Sequence, residues 1–316
     1  MKIVFLDAKT IGEDIDLSGY DKLGEVVKYG YSTPEEARQR TKDADVLVLN
    51  KVPINEQTIG EAKQLKLVCV TATGTNNLDK EYLDQHGIAW RNVAGYSTET
   101  VAQHTFAMLF YLLEKLSYYD AYVKTEKYVG DTTFTHFANV FHELSGKTWG
   151  IIGLGAIGRR VADLAKLFGC RVIYYSTSGK NSQPDYERVD FDTLLQASDV
   201  ISVHAPLDNN TEGLMNFAAF SKMKPSAIFL NLGRGPIVVE QDLAEALRQR
   251  VIAAAGLDVL SVEPMSPNNP LREIKDSERL IITPHIAWAS VEARTRLMKI
   301  IEEQIQNFFG INLQRE

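Results

Sequence analysis

The 316-residue chain has few cysteines and no long apolar run. Its two cysteines, Cys69 and Cys170, lie in apolar, strand-like stretches without CxxC spacing or clustered histidines, so we expect buried free thiols and no metal site. No apolar stretch reaches the roughly 18 to 20 residues that cross a bilayer. The segment from Met1 to Asp7 has the pattern of a strand and lacks the charged start and cleavage site of a signal peptide. The sequence therefore predicts a cytoplasmic protein.

The chain also lacks long blocks of basic residues. The chain has 41 acidic and 34 basic residues, a net charge of −7, and no Lys/Arg block that resembles a nucleic-acid or anionic-membrane patch. We therefore expect no nucleic acid and no membrane as partner. With 45% hydrophobic and 24% charged residues, the composition is that of an ordinary globular protein. The length favours two domains, because a single domain usually has roughly 100 to 200 residues.

Short apolar runs alternate with helical patterns in the first hundred residues. The strand candidates are KIVFLDA, EVVKYG, DVLVLN, LKLVCVTAT and IAWRNV. This alternation is typical of a parallel sheet wrapped by helices. From Thr98 to about Lys127 the apolar residues follow a helical period, which predicts one long helix with Thr98 as its N-cap.

A second alternating series starts at Lys147. Its six strand candidates are KTWGIIGLG, CRVIYYS, DVISVHAP, AIFLNLG, AAAGLDV and RLIITPH. They fit a doubly wound dinucleotide-binding sheet, and the amphipathic helix after His285 is expected to pack back on the first domain. We predict an α/β fold of two Rossmann-like or flavodoxin-like parallel-sheet domains with an interdomain cleft. The substrate domain would comprise residues 1–98 plus 288–316, and the NAD(P)-binding domain residues 99–287.

Gly153, Gly155 and Gly158 form a GxGxxG motif. An apolar strand runs into the first glycine, a helical pattern follows the last, and another strand comes next, which is the complete βαβ context. The glycines allow a sharp turn and a close approach of the backbone to a pyrophosphate, which also meets the free amides of the helix N-terminus. The motif predicts dinucleotide binding.

The carboxylate that accepts hydrogen bonds from the adenosine ribose of NAD is missing. It is expected roughly twenty residues beyond the glycines, where this chain has Tyr175, Ser176, Thr177 and Ser178. Ser176 with Lys180 nearby would repel a 2′-phosphate less than Asp would. Both NAD(H), with its ribose merely solvated here, and NADP(H) therefore remain open.

Three groups suited to hydride chemistry on a keto acid follow strand candidates of the second series. Such a reaction needs a cation for the substrate carboxylate and carbonyl and an acid for the new alkoxide. Arg234, Glu263 and His285 lie where open α/β sheets bind ligands. Taken singly, each has an ordinary alternative, such as a solvated or ion-paired arginine or a structural histidine.

The chain resembles the D-isomer-specific 2-hydroxyacid dehydrogenases over nearly its whole length. The matching motifs are NxxRG at 231–235, LDVxxxEP at 257–264 and PHIAW at 284–288, in order and alongside GLGAIG. The resemblance implies that Arg234 orients the keto acid through a fixed fork of donors. It implies that His285 donates the proton in reduction and accepts it in oxidation. Glu263 would pair with His285 and keep the imidazolium populated near neutral pH.

Further contacts are implied by the same resemblance. The backbone of Thr73, Gly74 and Thr75 would hold the substrate carboxylate, with a plain strand-to-helix turn as the alternative, and Trp288 would approach the substrate pocket or cap the cleft. The implied cofactor contacts, besides the three glycines, are Thr100, Ala156, Ile157, His204, Pro206, Leu232, Gly233 and Asp258. A packed loop histidine is the alternative for His204. We interpret His104 as structural or interfacial.

The resemblance also bears on the substrate and the assembly. Glu263 argues against formate dehydrogenases, which carry Gln there, and the chain ends without the appended domain of the longer phosphoglycerate dehydrogenases. EPMSPNNPL with PHIAWASVEARTRL is most similar to the glycerate dehydrogenase or hydroxypyruvate reductase branch, although pocket shape discriminates a methylene by only about 1 to 3 kcal/mol. An NAD-sensing scaffold and phosphite oxidation are the alternatives. A homodimer is expected, with TFAMLFYLLEKLSYYDAY as its interface.

Overall fold

The computed structural model describes residues 1–180 and 183–311 and divides into two compact units. Unit 1 consists of Met1–Ser97 together with the chain from Ala289 onward, and unit 2 is Thr98–Trp288. The boundaries expected from the sequence differ from these by one residue each. The last five positions of the expected substrate domain, 312–316, lie outside the described residues.

Unit 1 contains a five-stranded parallel sheet in the order β2-β1-β3-β4-β5. The strands are β1 (Lys2–Phe5), β2 (Glu25–Lys28), β3 (Val46–Leu49), β4 (Leu67–Val70) and β5 (Ala89–Arg91). The central strands β3 and β4 are buried along their full length, which explains why their sequences are continuously apolar rather than alternating. The prediction of a parallel sheet in this part of the chain is confirmed.

Helices cover this sheet. They are α1 (Pro34–Arg40), α2 (Glu56–Ile59), α3 (Lys80–Gln85) and the C-terminal helix (Val291–Phe309). The C-terminal helix returns from unit 2 and packs on unit 1, where the buried Tyr20 hydroxyl donates to the backbone oxygen of Met298 at 2.6 Å. The expectation that this helix packs back on the first domain is confirmed.

Unit 2 contains a seven-stranded parallel sheet in the order β12-β11-β10-β9-β6-β7-β8. Its strands are β6 (Thr148–Ile152), β7 (Arg171–Tyr175), β8 (Glu187–Arg188), β9 (Val200–Val203), β10 (Ile228–Asn231), β11 (Ala254–Leu257) and β12 (Leu280–Ile282). The strand order reverses between the adjacent β6 and β9, the switch point at which such sheets bind ligands. The sequence predicts only six of these strands, because β8 is two charged residues long and carries no apolar pattern.

Two hydrophobic cores lie on opposite faces of this second sheet. The helices of unit 2 are α4 (Thr98–Leu113), α5 (Leu116–Lys124), α6 (Ala156–Leu167), α7 (Phe191–Ala197), α8 (Phe217–Phe220) and α9 (Glu240–Arg248). Side chains of α4 and α6 build one core, and side chains of α7, α8 and α9 build the other. The sheet is therefore doubly wound, as predicted.

The prediction of a single long helix after the first sheet is wrong, because the structure has two helices there. The chain leaves the helical conformation after α4 and passes through Lys115 in the left-handed region, with φ 55°, before α5 begins. The helix also starts at Thr98 itself rather than after it. Apolar residues continue on a helical period across the break, so the pattern alone did not reveal it.

Four large apolar residues of α4 are not available for a subunit interface. Phe106, Met108, Leu109 and Leu112 are buried, and the Phe106 ring lies 4.8 Å from that of Trp149. These four side chains of TFAMLFYLLEKLSYYDAY therefore do not contribute to the expected dimer interface, because the hydrophobic core of unit 2 covers them, and the dimer itself stays a prediction. Across residues 1–180 and 183–311, no helix is long and apolar enough to cross a membrane.

The two cysteines are free and buried, as predicted. Burial raises the pKa of the Cys69 thiol to about 12 and that of Cys170 to about 11. A thiol with such a pKa stays protonated at neutral pH and is a poor nucleophile and metal ligand. Within the described ranges, no group of three or more His, Cys, Asp or Glu side chains is arranged to hold a metal ion.

Candidate active site

The carboxyl edge of the second sheet collects the three reacting groups that the sequence predicts. Arg234 follows β10, Glu263 follows β11 and His285 follows β12, and these three strands are neighbours in the sheet. Because all strands run parallel, the loops that carry the three residues emerge at the same edge.

His285 and Glu263 form a close pair. His285 Nδ1 lies 2.7 Å from Glu263 Oε2, and the other carboxylate oxygen, Oε1, accepts a hydrogen bond from the backbone N–H of Leu260 at 2.9 Å. A carboxylate partner fixes the proton on Nδ1, so that Nε2 is the nitrogen available to exchange a proton. The two side chains are 28% and 32% exposed, so the pair is reachable from solvent.

Arg234 lies on the neighbouring loop. Its Nη1 donates to the backbone oxygen of Gly233 at 2.8 Å, and its side chain is half-buried. Gly235 comes next, and a Cβ atom at this position would overlap the backbone of Leu260. Only glycine therefore allows the loop after β10 to approach the loop after β11 this closely. This close approach brings the backbone of Arg234 beside the loop that carries Glu263.

A buried carboxylate holds the His285 loop. Asp258 is 2% exposed and accepts from the backbone N–H of Ile286 at 2.9 Å and of Ala287 at 3.0 Å. Its own backbone oxygen accepts from His285 N at 2.8 Å. His285 itself has φ 55°, a conformation that is costly for a residue with a side chain and persists only where the surroundings impose it. Asp258 is expected from the sequence to contact the cofactor, and in the structure it also holds the loop of His285.

Thr283 is the residue of this site that sequence reasoning missed. Its hydroxyl lies 2.6 Å from Asp258 Oδ1 and 3.1 Å from Nε2 of His104, a residue interpreted from the sequence as structural or interfacial. The available signal was a hydroxyl residue immediately before the PHIAW motif, which by itself is common at the end of a strand.

The glycine motif forms the turn from β6 into α6. Gly153 has φ 92°, and a Cβ atom there would lie 2.8 Å from the backbone of Ala205, so no side chain fits. A Cβ on Gly155 would meet no atom within 4 Å, which leaves the space that a pyrophosphate needs. Gly155 is the N-cap of α6, and Ala156, Ile157 and Gly158 form its first turn, where backbone N–H groups have no helical acceptor.

The end of β7 offers a further polar group for a dinucleotide. Ser176 is 4% exposed, and its Oγ finds no hydrogen-bond partner in the part of the chain that the structure describes. The exposed Lys180 comes directly after the turn formed by residues 176–179. A buried hydroxyl without a partner, open space above Gly155 and a free helix N-terminus together fit a dinucleotide at this edge.

The remaining predicted cofactor positions also lie in unit 2. His204 and Pro206 follow β9, Leu232 and Gly233 follow β10, and Thr100 lies in the first turn of α4. His204 Nε2 is 3.1 Å from the Ser202 hydroxyl, and burial lowers the pKa of His204 to about 3, so its imidazole is neutral at physiological pH.

The predicted substrate residues fall in both units. Thr73, Gly74 and Thr75 follow β4 in unit 1, where the Thr73 hydroxyl donates to the backbone oxygen of Val93 at 3.0 Å. The backbone N–H groups of the three residues donate to no acceptor among the described residues. Trp288 ends unit 2, is half-buried and packs against its core.

A comparison with known families agrees with this architecture. Residues 106–287, more than half of the chain, match the model of the D-isomer specific 2-hydroxyacid dehydrogenase NAD-binding domain. The chain belongs to the D-isomer specific 2-hydroxyacid dehydrogenase family. It is therefore an oxidoreductase that uses NAD(P)(H) and acts on the CH–OH group of 2-hydroxy acids or on the matching 2-keto acids.

Individual members of the family are similar along almost the whole chain. The chain is 38% identical to a hydroxypyruvate reductase of Blautia hydrogenotrophica over 98% of its length and 97% of the relative's. It is 35% identical to a glycerate dehydrogenase of Methylorubrum extorquens over 96% of its length and 93% of the relative's. Among solved structures, an acyclic imino acid reductase in complex with NADPH and D-Arg has a TM-score of 0.86 at 29% identity, covering 98% of this chain and 97% of that one.

Proposed function

We propose that this dehydrogenase reduces a small 2-keto acid, hydroxypyruvate or glyoxylate, to D-glycerate or glycolate, with His285 as the proton donor. The observation that carries the proposal is the 2.7 Å contact between His285 Nδ1 and Glu263 Oε2 at the carboxyl edge of the sheet. A histidine held in this way presents Nε2 to a substrate, where this nitrogen can exchange a proton.

The proton is delivered where charge develops. His285 Nε2–H would protonate the alkoxide oxygen of the reduced keto acid. Glu263 stabilises the imidazolium before transfer and orients the ring, while its second oxygen is held by the Leu260 amide. In the oxidation direction the same nitrogen accepts the hydroxyl proton.

Two groups are proposed to bind the substrate carboxylate and carbonyl. Arg234 offers a planar fork of N–H donors that matches a carboxylate. The backbone N–H groups of Thr73, Gly74 and Thr75 donate to no acceptor within the described residues and are suited to an anion. When bound, NAD(P)H supplies the hydride. The residues of this chain bind and orient the acid and hold its proton.

The choice of substrate rests on similarity. Relatives that cover nearly the whole chain are named hydroxypyruvate reductase and glycerate dehydrogenase, and one of Aeropyrum pernix is named glyoxylate reductase. The test is a set of assays that follow loss of the reduced-nicotinamide absorbance with hydroxypyruvate, glyoxylate, pyruvate and 2-ketoisocaproate. We expect the highest kcat/KM with hydroxypyruvate or glyoxylate. A higher value with pyruvate or the branched acid would refute the substrate assignment.

Variants of the pair test the mechanism. His285→Ala should reduce kcat by at least about 10³-fold, because a general acid contributes 10²–10⁴-fold and its orientation adds to this. Glu263→Gln should retain more activity than His285→Ala, because glutamine still accepts from Nδ1 but carries no charge. NAD(P)H affinity, measured by fluorescence, should change less than about twofold in both. Full turnover by His285→Ala would rule out its role as proton donor.

NADP(H) is proposed as an accepted cofactor. Ser176, Thr177 and Ser178 stand where a carboxylate would repel a 2′-phosphate, with Lys180 close behind. Parallel assays with NADH and NADPH test this, and Ser176→Asp should shift the ratio of the two kcat/KM values towards NADH by about tenfold or more. A wild-type enzyme that strongly prefers NADH and is unaffected by Ser176→Asp would overturn it.

We also propose a homodimer in the cytoplasm. The segment from Leu116 to Phe141 exposes Val129 (83%), Phe134 (91%), Phe137 (83%) and Val140 (72%), an apolar surface that a second copy would cover. Light scattering should give the mass of two chains, and the double variant Phe134→Ser with Phe137→Ser should give the mass of one.

A cytoplasmic location is consistent with two free thiols, and cell fractionation tests it.

A further inference from the structure

The Thr283 hydroxyl connects helix α4 to the carboxylate behind the His285 loop. It lies 2.6 Å from Asp258 Oδ1 and 3.1 Å from His104 Nε2, while His104 Nε2 and Asp258 Oδ1 are 3.7 Å apart. The three residues come from α4, from the end of β12 and from the end of β11. Their side chains meet at Asp258 Oδ1, and neither His104 nor Thr283 is expected from the sequence to be catalytic.

The direction of each hydrogen bond in this chain follows from counting protons. A threonine hydroxyl has one proton, and at 2.6 Å from a carboxylate oxygen that already accepts the Ile286 N–H, this proton is donated to Asp258. The Thr283 oxygen must then accept from His104, so His104 carries a proton on Nε2. The hydrogen bonds therefore run from His104 to Thr283 and from Thr283 to Asp258.

The end of this chain of hydrogen bonds acts on the His285 backbone. Asp258 uses Oδ1 for Ile286 N and for the Thr283 hydroxyl, and Oδ2 for Ala287 N. The two amides belong to the residues that follow His285, whose φ of 55° must be imposed by its surroundings. A carboxylate that rotated about its Cβ–Cγ bond would lose one or both amides. The Thr283 hydroxyl opposes that rotation, and His104 fixes the hydroxyl.

We propose that His104 and Thr283 are positioning residues for the proton-transfer step, holding the Asp258 carboxylate so that it keeps the His285 loop in its left-handed conformation. The proposal rests on the proposed function, in which His285 donates the proton. It distinguishes the two residues from ordinary core groups, since each is needed for where its polar atom lies rather than for the volume it fills.

Two matched pairs of variants test this. Thr283→Val keeps the shape of threonine without its hydroxyl, and Thr283→Ser keeps the hydroxyl. We expect Thr283→Val to lower kcat about 10- to 100-fold, because misplacement of a reacting group by about 1 Å costs roughly that much. Thr283→Ser should stay within about threefold of wild type. KM for the keto acid and the dissociation constant of NADPH should change less than about threefold in both.

The histidine pair repeats the test from the other side. His104→Leu removes the donor, whereas His104→Gln retains an N–H that can reach the Thr283 oxygen. We expect His104→Leu to lower kcat about 5- to 20-fold and His104→Gln to restore most of it. In the double variant Thr283→Val with His104→Leu, the loss should equal that of Thr283→Val alone, since His104 acts through the hydroxyl.

Several outcomes would overturn the proposal. Equal kcat in Thr283→Val and Thr283→Ser, a loss confined to KM or to NADPH binding, or additive losses in the double variant would each do so. If Thr283→Val does not fold, as judged by circular dichroism, the His104 pair decides, because His104 is partly exposed and glutamine and leucine are similar in size. Turnover by His285→Ala would instead refute the proposed function, which keeps the two failures distinguishable.

Discussion

Both units of the molecule hold a loop at the carboxyl edge of a parallel sheet with a buried aspartate. In unit 1, Asp7 follows β1, is 3% exposed and accepts from the backbone N–H groups of Asn50, Lys51 and Val52 after β3. In unit 2, Asp258 follows β11, is 2% exposed and accepts from the amides of Ile286 and Ala287 after β12. Each carboxylate thus ties the end of one strand to the loop after its neighbour.

The two arrangements differ in what stands behind the carboxylate. Asp7 is held by backbone amides, and its burial raises its pKa despite them. Asp258 has, in addition, the Thr283 hydroxyl and, behind it, His104. The loop that Asp258 holds contains His285 in a strained conformation, which the loop held by Asp7 does not require. Backbone amides hold the Asp7 carboxylate in unit 1, and the carboxylate that holds the loop of the proposed proton donor, His285, has additional side-chain support.

Removing the Asp258 carboxylate, which holds the His285 loop in unit 2, should have the largest effect on activity. Asp258→Ala leaves the amides of Ile286 and Ala287 without their acceptor and frees His285 to leave its left-handed conformation. We expect kcat/KM to fall by at least about 10³-fold, which corresponds to about 4 kcal/mol. Steady-state assays measure this, with Thr283→Ser as the mild control. If kcat/KM of Asp258→Ala stays within tenfold of the wild-type value, the Asp258 carboxylate does not position His285.

Removing the Asp7 carboxylate, which holds the loop after β3 in unit 1, should instead lower the stability of the protein. Asp7→Ala leaves the amides of Asn50, Lys51 and Val52 without an acceptor, at about 1 to 3 kcal/mol for a buried group left unpaired. We expect the free energy of unfolding to fall by about 3 kcal/mol in urea. The dissociation constant of NADPH in the folded protein should stay within about twofold, since the glycine motif lies in unit 2. Unchanged stability would contradict the role of Asp7.

Acid should destabilise unit 2 through His204. Burial lowers the folded-state pKa of His204 to about 3 from its usual 6.5, so the unfolded chain takes up a proton that the folded protein excludes. The stabilising contribution is complete above pH 6.5 and is lost as the pH falls towards 3. Between pH 7.5 and 5.5 it should decrease by about 1.4 kcal/mol. Urea denaturation of wild type and His204→Asn at both pH values should show this difference, and parallel curves would contradict it.

The smallest expected effect is that of Asp7 in unit 1, where acidification should increase stability, whereas it decreases stability through His204. Because burial raises the folded-state pKa of Asp7 above its usual value, protonation favours the folded protein. Relative to Asp7→Asn, wild type should therefore gain stability as the pH falls through the folded-state pKa of Asp7. The same denaturation series, continued to pH 4, measures this difference. A relative loss of stability on acidification would mean that the amide hydrogen bonds outweigh burial at Asp7.

Local patterns sufficed where each residue's role depends on its neighbours along the chain. The buried strands β3 and β4 are continuous apolar runs, and the GxGxxG turn is defined by adjacent residues, so both could be predicted. The candidate positions of Arg234, Glu263 and His285 at strand ends followed from the strand predictions. The break at Lys115 and the strand β8 could not be predicted, since neither interrupts or creates an apolar period.

The sequence by itself determined the two parallel sheets, the dinucleotide turn and the edge at which the polar groups gather. Only the tertiary structure decided which of those groups meet. His104 and Thr283 are 179 residues apart, and Thr283 and Asp258 are 25 residues apart, so no local pattern records their contact. Their meeting depends on α4 packing against the sheet and on the pairing of β11 with β12. Backbone periodicity is a local property, whereas a hydrogen-bond network between three elements exists only once they have packed together.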